Sequence, residues 1–459
     1  MTEGSGGAPI DMQGGEQGEH TADAAADPGS SSLVARQGQR VFYTWSAQKS
    51  AIPLEIVAGT GARFETADGA RWFDLGSMTW NASLGHGHPR MRRALVAAAE
   101  RGLLAYPTSV FPDKARAGEL LVEIAPRGMA KSFICLSGAE ANENAVKMAR
   151  LFTGRKKVVA RTRSYHGATL AMLSLSGDPR REKFEPAMPG VVRMADPYCF
   201  RCPFGKRPST CAHECAEDLE TALQREGPDT VAAVMLEGVV GANGVFVPPA
   251  GYWKKIRAIC DRHGVLLIAD EVLSGFGRTG RWFAVDHEGV TPDLLTLAKG
   301  ITGGYAPGGA VVVTERIARH FDDEEVLWCG LTSYAHPLVC AAIVAAIETY
   351  RDERLVERAA ALGAWLGPRL ADFARARPYV GDVRGVGLLW AFELCAPGAP
   401  QQPAAPAALA RLASALRTHH LHMHKRENLL YLAPPLVIER SELEEALTAL
   451  GAALDEALG

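Results

Sequence analysis

The stretch Leu266–Lys299, LLIADEVLSGFGRTGRWFAVDHEGVTPDLLTLAK, is where the reading of this chain begins. Its opening run, Val265-Leu-Leu-Ile-Ala, is apolar without alternation and reads as a strand buried on both faces. That strand ends on two carboxylates, Asp270 and Glu271. A second short apolar run, Leu294-Leu-Thr-Leu-Ala, stops at Lys299 and passes into the loose segment GITGGYAPGG. An ammonium at the end of a buried strand is costly unless it is neutralised or reacted, and the usual reacted form of such a lysine is a Schiff base with an aldehyde.

Working outward, further buried runs occur at Ser132-Phe-Ile-Cys-Leu, Lys157-Val-Val-Ala and Val231-Ala-Ala-Val-Met-Leu, the last ending at Glu237. A helix over Gly251–His263 leads into the Asp270 strand. Strand and helix alternate from about 130 to 315, the pattern of an α/β fold with a mostly parallel sheet, which places ligands at the carboxyl ends of its strands. Asp270 and Lys299 both fall at such ends. A carboxylate and a lysine so placed suit pyridoxal phosphate, whose pyridine nitrogen stays protonated beside an acid and whose aldehyde takes an amine. A structural ion pair closing the sheet uses the same two residue types. After the Ser132 strand, SGAEANENA starts a helix at Ser137. Its small residues let backbone N–H groups at the positive helix end approach an anion such as a cofactor phosphate.

IADEVLSGFGRTG followed by LAKGITGGYAPGGAVVV resembles the signature of the class III pyridoxal-phosphate aminotransferases of fold type I. The resemblance runs from about Val41 to about Val437 through SLGHGHP, SGAEANENAVKMAR, SYHG, LEGVVGANGVFVPPAGY, TSYAHPLVCAA, VRGVGLLWAFEL and LAPPLVI. It implies a large domain with a seven-stranded-type, mostly parallel sheet flanked by helices, plus a smaller α/β domain built from both chain ends. It gives Asp270 and Lys299 the roles just argued, and Gly138 and Ala139 the phosphate cup by backbone, with Ser137 and Val272 as further cofactor contacts. Tyr165 of SYHG becomes the ring stacked on the pyridine. Glu237 stands near the reacting face as a cofactor and substrate contact, although this chain reads EGV where a proline commonly follows the glutamate. Trp45 lines the substrate entrance. Thr332 donates to the cofactor phosphate of the neighbouring subunit, so a homodimer with shared active sites is implied. A mutase, lyase or decarboxylase on the same fold uses the same lysine and aspartate. A non-catalytic scaffold does not need Lys299, Asp270, Tyr165 and Thr332 together.

The length of 459 residues exceeds what one core usually manages, and 47% hydrophobic with 22% charged residues is an ordinary globular composition. The net charge of −3 argues against a nucleic-acid partner. No apolar run reaches membrane-spanning length and the N-terminus is polar and acidic, so a cytoplasmic location without a membrane partner is expected. Residues 1–35, rich in Gly, Ala, Ser and acids, read as a disordered tail. Residues 36–85, with a hairpin turn at Asp68-Gly69, read as the N-terminal part of the small domain. The large cofactor domain follows over 86–335 and the rest of the small domain over 336–459, with Ala396–Ala407 as a linker. His86 and His88 of GHGHP are expected in loop structure rather than on a metal.

Nine cysteines, an odd number, read as thiols or metal ligands rather than a disulfide framework. Cys199, Cys202, Cys211 and Cys215 give C-x2-C and C-x3-C pairs close to structural zinc spacing, with His213 as a spare ligand. A structural zinc is therefore a candidate, and plain thiols in a loop are the alternative. No catalytic metal is expected.

The substrate is read from two arginine positions that separate branches of the resembled family. The ornithine and acetylornithine branch has its arginine where this chain has Tyr431, and the amine–pyruvate branch has a mobile one where this chain has His424. Arg426, in HKRENLLYLAPP, is the candidate for a substrate carboxylate, because a guanidinium fork matches that group. TSYAHP and the cysteine-bearing segment look most like the taurine–pyruvate and amine–pyruvate members. The expected reaction therefore moves an amino group from an ω-amino acid or amine to an α-keto acid such as pyruvate.

Overall fold

The structure is a computed structural model that describes residues 32–322 and 325–459. Its contacts divide the chain into two compact units, Met1–Glu55 and Ile56–Gly459. Most of the segment expected to be disordered, residues 1–31, lies outside the described residues, but Leu33–Gly38 is a short helix capped by the Ser32 hydroxyl, which accepts from the Ala35 N–H at 3.2 Å. The described residues of this unit also hold a 3-10 turn, Gln48–Ser50, and an exposed Trp45.

The second unit is organised by seven strands, numbered here in chain order within their sheet: β1 Met129–Cys135, β2 Lys157–Arg161, β3 Val191–Met194, β4 Val231–Glu237, β5 Leu266–Asp270, β6 Leu294–Ala298 and β7 Gly309–Thr314. Their spatial order is β1-β7-β6-β5-β4-β2-β3, and only β7 runs against its neighbours. Every residue of β4, β5 and β6 is buried, as expected for strands covered on both faces. Alternation divides them between two cores. Val158, Ala160, Met235, Ile268 and Leu294 pack with Ala141 and Ala145 of helix Gly138–Thr153, while Val159, Leu236, Leu267 and Leu295 pack with Ile256 and Ile259 of helix Tyr252–His263.

Two smaller sheets accompany it. Ile56–Thr60, Arg63–Thr66 and Arg71–Asp74 form a meander, with the expected turn at Asp68-Gly69, and its last strand pairs in parallel with Leu421–His422 from the far end of the chain. The other sheet joins Val380–Val386, Leu389–Ala396, Leu429–Leu432 and His424–Arg426. The stretch expected to be a linker is ordered: Ala399–Pro403 pairs with Leu389–Ala396, and a helix starts at Pro406. Its prolines hid this, although Pro403 ends an edge strand and Pro406 opens a helix, both positions where the missing N–H costs little. Among the described residues no helix is long and apolar enough to cross a membrane.

Candidate active site

The ends of β1, β2, β4, β5 and β6 converge on one edge of the sheet. The β4–β5 register sets Glu237 directly beside Asp270, and Lys299 follows the last residue of β6. Asp270 is buried and fully engaged. Its Oδ2 accepts from Asn142 Nδ2 at 2.8 Å and from His166 Nδ1 at 2.8 Å, and its Oδ1 accepts from the Val272 N–H at 3.1 Å. Asn142 is itself fixed, donating to the His166 carbonyl at 2.7 Å and accepting from the Thr296 hydroxyl at 2.6 Å. A carboxylate held by three donors keeps one orientation.

Lys299 turns out of β6 with a positive φ of 50°, an uncommon backbone for a side chain of this size. Its Nζ lies 5.4 Å from the centroid of Trp80 and makes no hydrogen bond or ion pair with any described residue. Burial lowers the ammonium to about 8, against the opposing pull of Asp270 and Glu237 and with the Arg278 charge adding to the depression. Burial likewise pushes the Glu237 carboxyl up to about 7, His166 opposing and Asp270 adding to the rise. Glu237 accepts from the Tyr165 N–H at 2.9 Å and the Gly241 N–H at 2.7 Å, so it fixes the backbone that carries the Tyr165 ring.

Ser137 caps helix Gly138–Thr153, its hydroxyl accepting from the Glu140 N–H at 3.2 Å. The N–H groups of Gly138 and Ala139, ahead of that bond, have no acceptor among the described residues, which leaves them available to an anion. Only glycine fits at 138, since a Cβ there would come 2.8 Å from Val272 Cγ1. The same contact brings Val272 against the helix start.

The opposite wall is aromatic. Trp80 packs edge to face with His424, centroids 4.3 Å apart, and with Tyr431 at 5.5 Å, while the Tyr431 hydroxyl donates to the Ala242 carbonyl at 2.8 Å. Arg426 does not stand apart as a single cation: its Nη1 donates to Asp178 Oδ2 at 2.5 Å, and Arg180 binds the same carboxylate. Thr332 is exposed and has no hydrogen bond within the described chain. Trp45 belongs to the N-terminal unit.

The chain belongs to the class III aminotransferases. The family model described as "Aminotransferase class-III" matches residues 44–454. A solved structure of taurine:2-oxoglutarate aminotransferase from Bifidobacterium kashiwanohense, in complex with PLP and glutamate, is 35% identical, covers 93% of this chain and 98% of its own, and superposes with a TM-score of 0.89. An (S)-enantioselective omega-transaminase from Thermomicrobium roseum is 34% identical with a TM-score of 0.88, covering 93% and 98% of the two chains. The putrescine–pyruvate aminotransferase of Pseudomonas aeruginosa is 33% identical over 419 residues, 87% of this chain and 90% of that one. The fold is that of the type I pyridoxal-phosphate enzymes, and the residues present fit the cofactor: a glycine-floored helix start for its phosphate, an oriented carboxylate for its ring nitrogen and a lysine depressed toward neutrality for its aldehyde.

One expectation is corrected. Among the described residues no three or more His, Cys, Asp or Glu side chains are arranged to hold a metal ion, so a zinc at Cys199, Cys202, Cys211 and Cys215 is not supported, which favours the plain thiols. Helix Glu214–Glu226 begins between the last two thiols and carries Cys215 into the core. Cys211 contacts Glu214 Oε2 at 3.4 Å and the His213 N–H at 3.3 Å, and all four cysteines are free. Asn142, Thr296, Trp80 and Arg180 were not singled out from sequence, and His166 had no role. The only signal for Asn142 was a polar residue on the inward face of a helix, which is as often a packing exception.

Proposed function

We propose that this class III aminotransferase takes its amino group from an ω-amino acid or simple amine and passes it to an α-keto acid such as pyruvate. The observation that supports this choice is the wall at Tyr431 and His424: neither residue is an arginine, and both are spent on Trp80 rather than on the space above Lys299. His424 is moreover held neutral, burial pushing it down to about 4 with His422, Lys299 and Arg180 adding to the effect. Nothing on that wall orients a carboxylate on the carbon that bears the donor amine. The relatives named for taurine, for putrescine and as an omega-transaminase accord with this donor class.

Pyridoxal phosphate, when bound, supplies the electron sink that makes the hydrogen on the amine-bearing carbon acidic. The chain does the rest. Lys299 Nζ would hold the cofactor's aldehyde carbon between turnovers and, once displaced by the donor amine, would take the proton from the amine-bearing carbon and deliver it to the cofactor's former aldehyde carbon, a task suited to a group titrating near neutrality. Asp270 holds the ring nitrogen in its charged form, with Asn142 and His166 keeping the carboxylate aimed. Gly138 and Ala139 bind the phosphate through backbone N–H groups beside Ser137, with Val272 behind them, and the Tyr165 ring covers one face. Thr332 reaches the phosphate of a second subunit, so the working form in this reading is a homodimer, and its exposure on the single chain accords with that. Trp45 at the substrate entrance, lobes over 86–335 and 336–459, and a cytoplasmic location belong to the same proposal.

Spectroscopic half-reactions test it. The visible absorption of the loaded enzyme is followed with taurine, β-alanine, putrescine, ornithine and acetylornithine, and its return with pyruvate or 2-oxoglutarate. Faster change with donors lacking an α-carboxylate is expected, and strong preference for acetylornithine overturns the assignment. Formation of a decarboxylated or eliminated product in place of the ketone or aldehyde identifies another reaction on the same fold.

A further inference from the structure

The segment between β3 and helix Glu214–Glu226 brings two thiols onto one turn: Cys199 opens the 3-10 helix Cys199–Arg201 and Cys202 is its C-cap. Three residues of such a turn advance about 6 Å along its axis and bring side chains i and i+3 into line, a separation inside the range that a disulfide spans. Cys202 has a φ of −59°, a value of the turn itself, so its Cβ leaves the backbone as that of a further turn residue would. Cys199 is exposed and Cys202 half-buried, and neither thiol has a hydrogen bond among the described residues.

The other two thiols of the segment are committed elsewhere. Cys211 Sγ donates to Glu214 Oε2 at 3.4 Å and accepts the His213 N–H at 3.3 Å, and Cys215 is buried on its helix. The turn is held from both of its ends. Tyr198, ahead of it, donates through its hydroxyl to Glu393, and Arg201, within it, donates from Nε to Glu393 Oε1 at 2.7 Å. Arg384 Nη1 donates to the same carboxylate at 2.9 Å and its Nε to the Gly244 carbonyl at 2.7 Å, while the Tyr198 ring stacks on Phe246 with centroids 4.0 Å apart. The turn is thereby fixed against the loop that follows Glu237. Burial pushes the Cys199 thiol up, with Cys211, Cys202 and Asp382 adding to the rise. Surroundings that disfavour the thiolate weaken the reduced state relative to the disulfide, the converse of strongly oxidising dithiols whose reduced form is stabilised.

We infer that Cys199 and Cys202 form a reversible oxidation site that closes to a disulfide, with a small-molecule disulfide as the oxidant. The exposed Cys199 thiolate attacks the oxidant, forming a mixed disulfide and expelling one half of it as a thiolate. The Cys202 thiolate then attacks Cys199 Sγ and expels the other half. Two protein thiols become one disulfide, the S–S bond of the oxidant is reduced to two thiols, and these take up the two protons that the cysteines give up. Because the turn already holds the geometry, closure keeps Tyr198 and Arg201 on Glu393 and braces the support behind the Glu237 loop.

In the test, cofactor-loaded enzyme is equilibrated at about pH 8 with mixtures of reduced and oxidised glutathione, quenched with acid, alkylated and digested with trypsin without reduction. Cleavage after Arg201 puts Cys199 and Cys202 on different peptides, 194–201 and 202–206, and Cys211 with Cys215 on a third, 207–225. The linked pair 194–201 and 202–206 should rise with the oxidised fraction and disappear on adding dithiothreitol. In Cys202→Ser the reaction should stop at the glutathione adduct on Cys199, and Cys211→Ser should leave the link unchanged. Alkylated Cys199 and Cys202 throughout, or a link from Cys199 to the third peptide, overturns the inference. The equilibrium constant for closure should be roughly 10-fold or more larger in the folded enzyme than in guanidinium, because the turn is preformed, and linkage then makes the closed form unfold at a higher guanidinium concentration than the open one. Equal constants, or a closed form that unfolds first, show that the turn does not favour the bond and overturn the inference as well.

Discussion

Lys299 offers the sharpest quantitative expectation. Its amine is lowered from 10.5 to about 8 by burial, so at pH 7.5 about a quarter of it is uncharged, against about 0.1% for an ordinary lysine. In cofactor-free protein Lys299 should therefore react with a trace amine reagent roughly 200-fold faster than an equally accessible surface lysine at that pH. Competitive labelling followed by mass spectrometry of the Lys299 peptide gives the titration curve directly, with a midpoint expected near 8. The same shift has a stability consequence. Between about 8 and 10.5 the unfolded chain binds a proton at this site that the folded chain does not, so stability rises with pH across that window and the full penalty, ~3 kcal/mol at most, applies below it. Lys299→Met should raise the thermal midpoint of the cofactor-free protein at pH 7, and the gain should shrink toward pH 10. A labelling midpoint coincident with that of surface lysines, or a variant less stable than wild type at pH 7, would refute the reasoning.

Asp270→Asn keeps the shape but sets an N–H against a donor, because Asn142, His166 and Val272 all present donors to that carboxylate. Turnover should fall roughly 30-fold to several thousand-fold, as when one member of a buried charge pair is removed, with the cofactor still bound and seen in the absorption spectrum. Glu237→Gln removes a carboxyl raised to about 7. Such a group stabilises the fold below the unfolded value of 4.5 and loses that contribution as pH rises through 7, so the variant should show a flatter stability profile from pH 4.5 to 7 in thermal scans. Lys299→Ala and Thr332→Ala chains, each inactive alone, should recover activity when mixed, since one site of the heterodimer is intact for both changes. No recovery with heterodimers demonstrated by mass would count against the shared site.

The parallel sheet was legible because its central strands are short, continuously apolar and end on charge, so Asp270, Glu237 and Lys299 could be placed at strand ends from sequence. The helix start at Ser137 was legible for the same local reason, small residues followed by acids. Asn142, Thr296 and His166 were not, because their roles come from β5, β6, helix Gly138–Thr153 and the Tyr165 loop meeting in space; none has a local pattern that distinguishes it from an ordinary buried polar residue. The acid that Arg426 meets is 248 positions away, beyond any periodicity argument. The cysteine spacing left zinc and plain thiols both open, because a count of intervening residues cannot show that Cys215 is buried on a helix that begins at Glu214.

Trp80 shows how the fold commits stability to this site. Ser77, Met78, Thr79 and Trp80 have φ values of 45°, 43°, 70° and 60°, four successive non-glycine residues in the left-handed region, where each costs roughly 1–2 kcal/mol. Such a turn persists only when its surroundings over-determine it. Here the buried Arg278 donates from Nη2 to the Ser77 hydroxyl at 3.2 Å and from Nη1 to the Leu388 and Pro434 carbonyls at 3.1 and 2.5 Å. The Ser77 hydroxyl in turn donates to the Ala433 carbonyl at 2.6 Å, and Asp74 accepts from the Met78 N–H at 3.0 Å. A right-handed turn would spare the strain but would carry the indole away from Lys299. The same Arg278 charge that pins the turn also helps depress the Lys299 ammonium, so one buried guanidinium both places the aromatic wall and tunes the amine facing it. Strain in the backbone and an uncomfortable lysine are thus two costs of a single arrangement, and cofactor binding, which reacts away the ammonium, relieves only the second.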